Sequence, residues 1–65
     1  MTIDPEELVS DQETAEILYQ KPTTLTAWRH ENRGPAYLKI GRRVFYRRSD
    51  INSWLGAQRR EPAAV

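Results

Sequence analysis

Cysteine is absent from this chain, which rules out disulfide staples and thiolate metal ligands and makes a reducing interior the natural setting. Histidine occurs once, as His30; zinc held by one imidazole needs carboxylates at a ligand spacing that the chain does not offer. No apolar run approaches the ~18 residues of a membrane span, and the acidic opening lacks the basic-then-apolar pattern of a signal peptide. Also missing are a Gly-rich phosphate loop and a nucleophile spaced to meet a partner base, since helix capping accounts for Ser10 and Ser49. The expectation is a cytoplasmic, non-enzymatic protein with no metal, cofactor or membrane contact.

Lys and Arg are lacking from the first 20 positions, which carry Asp4, Glu6, Glu7, Asp11, Glu13 and Glu16. All ten Lys and Arg fall within residues 21–60, against only Glu31 and Asp50. The net charge of +1 therefore hides a basic body with an acidic end, the distribution expected of a polyanion binder. Mutual neutralisation in a solvated globule explains the charges equally well until the basic residues are placed on elements. The 65 residues suffice for one domain, which buries only roughly 60% of its unfolded surface.

Residues 1–7 read as a flexible acidic lead-in, with Pro5 discouraging helix before it. Ser10 followed by Glu13 forms a capping box that starts a first helix over about Asp11 to Leu18, burying Thr14, Ala15 and Leu18 with Ile17 at the margin. Tyr19-Gln20-Lys21 is a tight connection, and Pro22 suits the first position of a second helix reaching about Glu31. Leu25 and Trp28 give that helix its buried stripe. Its opposite side carries Thr23, Thr26, Ala27 and His30, flanked by Arg29 and Arg33. Asn32-Arg33-Gly34-Pro35 ends the helix.

Two short alternating segments around Gly41-Arg42-Arg43 then read as a hairpin. A three-residue loop pairs Ile40 with Val44 and Leu38 with Tyr46, setting these four on one face and Tyr37, Lys39, Phe45 and Arg47 on the other. A two-residue Gly41-Arg42 loop is good turn chemistry but mixes the faces, so the longer loop is expected. Ser49 is expected to cap a third helix whose stripe is Ile51, Trp54 and Leu55, fraying near Gly56 to Arg60. The domain is thus expected over residues 8–58, with a flexible tail over 59–65.

A helix fits the major groove, and small residues at Thr23, Thr26 and Ala27 permit close approach, with His30 in reach of phosphate or guanine and Arg29 and Arg33 as backbone anchors. Arg42 and Arg43 are placed to enter a narrow minor groove or clamp phosphates, supported by Lys39 and Arg47. Neutralising ~4–6 phosphates predicts a log–log salt slope of about −4 to −5. Basic residues also protect exposed sheet edges, but four within nine residues exceed that need. Trp28 and Trp54, at helical spacing with Leu25 and Leu55, belong to the core.

The order of these blocks resembles a known family. Leu8-Val9-Ser10 with Glu13, Ala15 and Leu18, then Thr24-Leu25 with Trp28-Arg29, Gly34-Pro35, Lys39-Ile40-Gly41-Arg42-Arg43, Tyr46-Arg47, and Asp50-Ile51 with Trp54-Leu55 are similar to the small winged helix-turn-helix proteins of the MerR-like superfamily. Within it, the blocks resemble the excisionase and AlpA-like group of phages and integrated elements. Members often have Gly-Val where this chain has Tyr19-Gln20, an apolar residue where Asp11 stands, and a basic one at Phe45.

The resemblance implies a mainly α fold with a small β-hairpin: helix, turn, helix, hairpin wing, helix. It implies double-stranded DNA as partner and the bacterial cytoplasm or nucleoid as location. By likeness, the function is that of an excisionase, or recombination directionality factor, which binds and bends DNA beside an attachment site. It would turn a tyrosine-recombinase integrase toward excision, with protomers assembling head to tail and cooperatively on the duplex. An AlpA-like transcription regulator uses the same contacts at a promoter. A reading of another class is a protein-interaction module, antitoxin-like or adaptor, that uses the acidic first 20 residues or Phe45.

Overall fold

The computed structural model describes residues 3–62. After a 3₁₀ turn at Pro5–Glu7, the chain runs through β1 (Leu8–Ser10), α1 (Asp11–Ile17), α2 (Pro22–His30), β2 (Leu38–Ile40), β3 (Arg43–Arg47) and α3 (Arg48–Ala57). Three helices and a three-stranded antiparallel sheet of order β1-β3-β2 make a winged helix-turn-helix. The expected lead-in and tail fall partly outside the described residues, at 1–2 and 63–65. Within the lead-in, the Asp4 carboxylate accepts from the Glu6 N–H at 2.9 Å and caps the 3₁₀ turn.

Local chemistry explains the helix ends. Ser10 Oγ accepts from the Glu13 N–H at 3.0 Å, satisfying one orphan donor of the first turn. Thr14 Oγ1 donates back to the Ser10 carbonyl at 2.8 Å, so this fully buried hydroxyl is not left unpaired. At the other end, the N–H groups of Tyr19 and Gln20 donate to the carbonyls of Glu16 (3.1 Å) and Ala15 (2.8 Å). This is a Schellman motif with Tyr19 in the left-handed conformation at φ 56°. The same motif closes α2: Asn32 takes φ 57° while Asn32 and Arg33 donate to Arg29 (3.3 Å) and Trp28 (2.7 Å).

Val9, Ala15, Leu18, Leu25, Tyr46 and Ile51 form the core, with Trp28, Val44 and Trp54 packed against it. The Trp28 and Trp54 rings meet at 5.3 Å between centroids in a tilted arrangement. Gly34, at φ 86°, lies against the Trp28 ring so closely that a Cβ there would come within 2.9 Å of Cε3. Both positive φ and lack of room demand glycine.

Three expectations are corrected. Leu8–Ser10, where no strand was expected, forms an edge strand on β3, pairing Val9 with Tyr46. The hairpin uses the two-residue Gly41-Arg42 turn, so Ile40 pairs with Arg43, Lys39 with Val44 and Leu38 with Phe45. Gly41 sits first in the turn at φ 62°, a geometry that matches the twist of the flanking strands. Tyr37 and Lys39 therefore share the helix-side face with Val44 and Tyr46, while Leu38, Ile40 and Phe45 lie on the outer face. Val9 from β1 supplies the apolar neighbour of Tyr46, so the core does not need Ile40, which is half exposed. Finally, α3 begins directly after β3 at Arg48, with Arg47 at the cap position and no side-chain cap. Ser49 lies inside the helix and its buried hydroxyl has no partner among the described residues.

Candidate nucleic-acid interface

Thr23, Thr26, Ala27 and His30 are exposed on α2, within an arc of about 100° at 3.6 residues per turn. They face outward because Leu25 is fully buried and Trp28 packs beside it. Thr26, Arg29 and His30 form one wall of a cleft of about 290 Å³ whose other wall is Tyr37, Lys39, Arg42 and Val44. The register places Lys39 there, since pairing with Val44 turns it to the helix side of the wing. A second cleft of about 410 Å³ continues around the wing tip between Arg42, Arg43 and the starts of α1 and α2. Helix and wing tip thus open onto the same side. Thr23 and Ala27 do not line these clefts and extend the exposed helix face beyond them.

The basic residues divide into two groups. Among the described residues, no carboxylate pairs with Lys39, Arg42 or Arg43, and all three are exposed. Arg43 leans over the Phe45 ring, its Cζ 5.2 Å from the centroid. Arg33 is exposed and meets Glu31 at 3.1 Å, a solvated pair of little strength.

Arg29 and Arg47 are different. Arg29, expected as a phosphate anchor, is only 14% exposed. Its Nη1 donates to Asp11 Oδ1 at 2.9 Å and to Tyr46 Oη at 2.8 Å; its Nη2 donates to Thr26 Oγ1 at 3.2 Å. Burial alone would lower the guanidinium pKa, but hydrogen bonds to Asp11 and Tyr46 outweigh it, and the net shift is upward. The same burial pushes the Tyr46 phenol up, against the opposing pull of Arg29. Arg47, expected to support the wing, lies on the outer face of β3 with Nε 3.2 Å from Asp50 Oδ2. That contact is an ion pair without hydrogen-bond alignment, since Nε has no hydrogen-bond partner. Both arginines carry internal structure.

Sequence reasoning missed the Asp11–Arg29–Tyr46 cluster, although an acid at Asp11, where the resembling family is often apolar, was the available signal. The set brought together is Thr26, His30, Lys39 and Arg42, with Arg43 at the tip: small polar groups beside unneutralised cations, chemistry suited to base edges and phosphates. No curated protein matches the chain. The helix-turn-helix domain family matches over residues 8–59, from β1 past the end of α3. With two helices joined at Tyr19 by a tight turn and a wing beside the second, this chain belongs to the helix-turn-helix domain family, and is a small DNA-binding protein.

Proposed function

We propose that the protein is an excisionase-type DNA-binding factor, working without catalysis of its own in the bacterial cytoplasm. It sets α2 in the major groove and the wing tip in the adjoining minor groove or on its phosphates. The observation that carries this reading is the shared cleft, in which Thr26 and His30 of α2 face Lys39 and Arg42 of the wing. One duplex can engage both walls at once. Bending follows from that double grip, because a wing held in a narrow groove draws the duplex toward the protein. A single 65-residue protomer offers a modest interface, so neighbouring copies on repeated sites, and an integrase beside them, supply the remaining affinity.

Footprinting on DNA that spans an integrase gene and its attachment site, joined to an excision assay with that integrase, tests the reading. Protection of short repeats together with stimulated excision supports it. Protection of a promoter with altered transcription and unchanged excision replaces it with an AlpA-like regulator. Absence of salt-dependent duplex binding replaces both with a protein-interaction module.

A further inference from the structure

Arg29 touches one residue from each of two other elements that flank the clefts. Asp11 opens α1, Arg29 belongs to α2, and Tyr46 is the buried residue of the central strand β3. α1 packs against both α2 and β3, whereas direct packing of α2 on β3 is slight. The spatial relation of reading helix to wing is therefore carried through α1, through the shared core of Leu25 and Tyr46, and through the polar link made by this guanidinium. Tyr37 adds to the clamp, its ring 5.7 Å from Arg29 Cζ and 6.2 Å from the Tyr46 ring. A phosphate reaching Arg29 would have to displace Asp11 from a two-point contact at 2.9 and 3.4 Å.

We infer that Asp11, Arg29 and Tyr46 form a positioning bridge that sets the wing at the distance from α2 needed to engage one duplex with both elements, with Arg29 making no DNA contact of its own. This rests on the DNA-binding reading and deepens it. The bridge makes a counter-intuitive demand on Asp11. Its carboxylate lines the cleft at the wing tip beside Arg42, where a negative charge opposes a polyanion. Removing that charge should strengthen DNA binding if electrostatics alone decides. If the bridge decides, removing it weakens binding.

The test compares wild type, Asp11→Asn, Arg42→Ala and the double variant on a duplex that the wild-type protein enriches from a random-sequence pool. Anisotropy is read at a temperature where circular dichroism shows every variant folded. The expected result is that Asp11→Asn weakens binding roughly 3- to 10-fold, and that Arg42→Ala costs less in the Asp11→Asn background than in wild type. A general loss of packing would not produce that coupling in fully folded protein. Tyr46→Phe, which keeps the ring and the core, repeats the comparison if Asp11→Asn fails to fold; the same direction and coupling are expected. Tighter binding by Asp11→Asn, or an equal cost of Arg42→Ala in both backgrounds, overturns the bridge while leaving DNA binding intact. Failure of the wild type to enrich any duplex overturns the DNA reading itself, and the bridge with it.

Discussion

Replacing Arg42 and Arg43 together by alanine separates a wing that binds DNA from one that merely protects a sheet edge. Six basic side chains were candidates for phosphate contact, and the structure commits two of them, Arg29 and Arg47, to Asp11 and Asp50. Arg33, Lys39, Arg42 and Arg43 remain. Four phosphate contacts, the lower end of the ~4–6 expected from sequence, give a log–log salt slope of about −3.6, equivalent to about a 150-fold loss of affinity between about 50 and 200 mM salt. Removing the two wing arginines should bring the slope to about −1.8 and the loss over the same interval to about 12-fold. Fluorescence anisotropy across a salt series measures both numbers. Arg47→Ala is the internal control and should leave the slope unchanged. A double variant that keeps the wild-type slope, or an Arg47→Ala variant that flattens it equally, refutes the division of the arginines into free and committed sets.

Three further outcomes probe the scaffold. Gly34→Ala should lose about 2–4 kcal/mol in urea unfolding followed by tryptophan fluorescence, from left-handed strain plus the 2.9 Å approach to Trp28; that is a large share of the stability expected at this size. Tyr19→Gly should instead stabilise by about 1 kcal/mol in the same assay, because Tyr19 is 94% exposed at φ 56° and loses little packing when removed. Tyr46 has a raised phenol pKa, so its contribution is intact below the unfolded-state value of about 10 and is lost as pH rises through the folded value. Wild type should therefore lose stability relative to Tyr46→Phe as pH rises above 10, and parallel pH profiles would show that the phenol is not held neutral.

Much of the fold was legible because its signals are local. Ser10 with Glu13, Pro22 at the start of α2, and Asn32 to Pro35 at its end each act within a few residues, and all three mark observed boundaries. What failed was non-local. β1 is three residues long and finds its partner at Phe45–Arg47, too short to show a period and too distant to predict pairing. Missing it led directly to the wrong hairpin register, since the expected core face was then filled from Leu38 and Ile40. The site followed the same rule. Thr23, Thr26, Ala27 and His30 were readable from helical spacing, whereas the commitment of Arg29 to Asp11 joins residues 18 apart in the chain; Arg47 and Asp50 are only three apart, and their pairing turns on α3 starting directly after β3.

The distribution of acids explains how a chain of net charge +1 presents a cationic cleft. Asp11 and Asp50 are each held by an arginine that is itself largely shielded from solvent, so two carboxylates are neutralised by two cations and add no net negative charge at the clefts. Among the described residues, the cleft between α2 and the wing is lined by no carboxylate, and the cleft around the wing tip only by Asp11, whose oxygens already face Arg29. What a polyanion meets there is Lys39, Arg42 and Arg43 without local compensation. The acids of the first 20 residues lower the net charge without entering the cleft beside α2. At physiological salt, where the field of an exposed charge decays over about 8 Å, local composition outweighs the total. Net charge is consequently a poor guide to this protein's affinity for DNA, and the placement of each acid relative to each arginine is the better one.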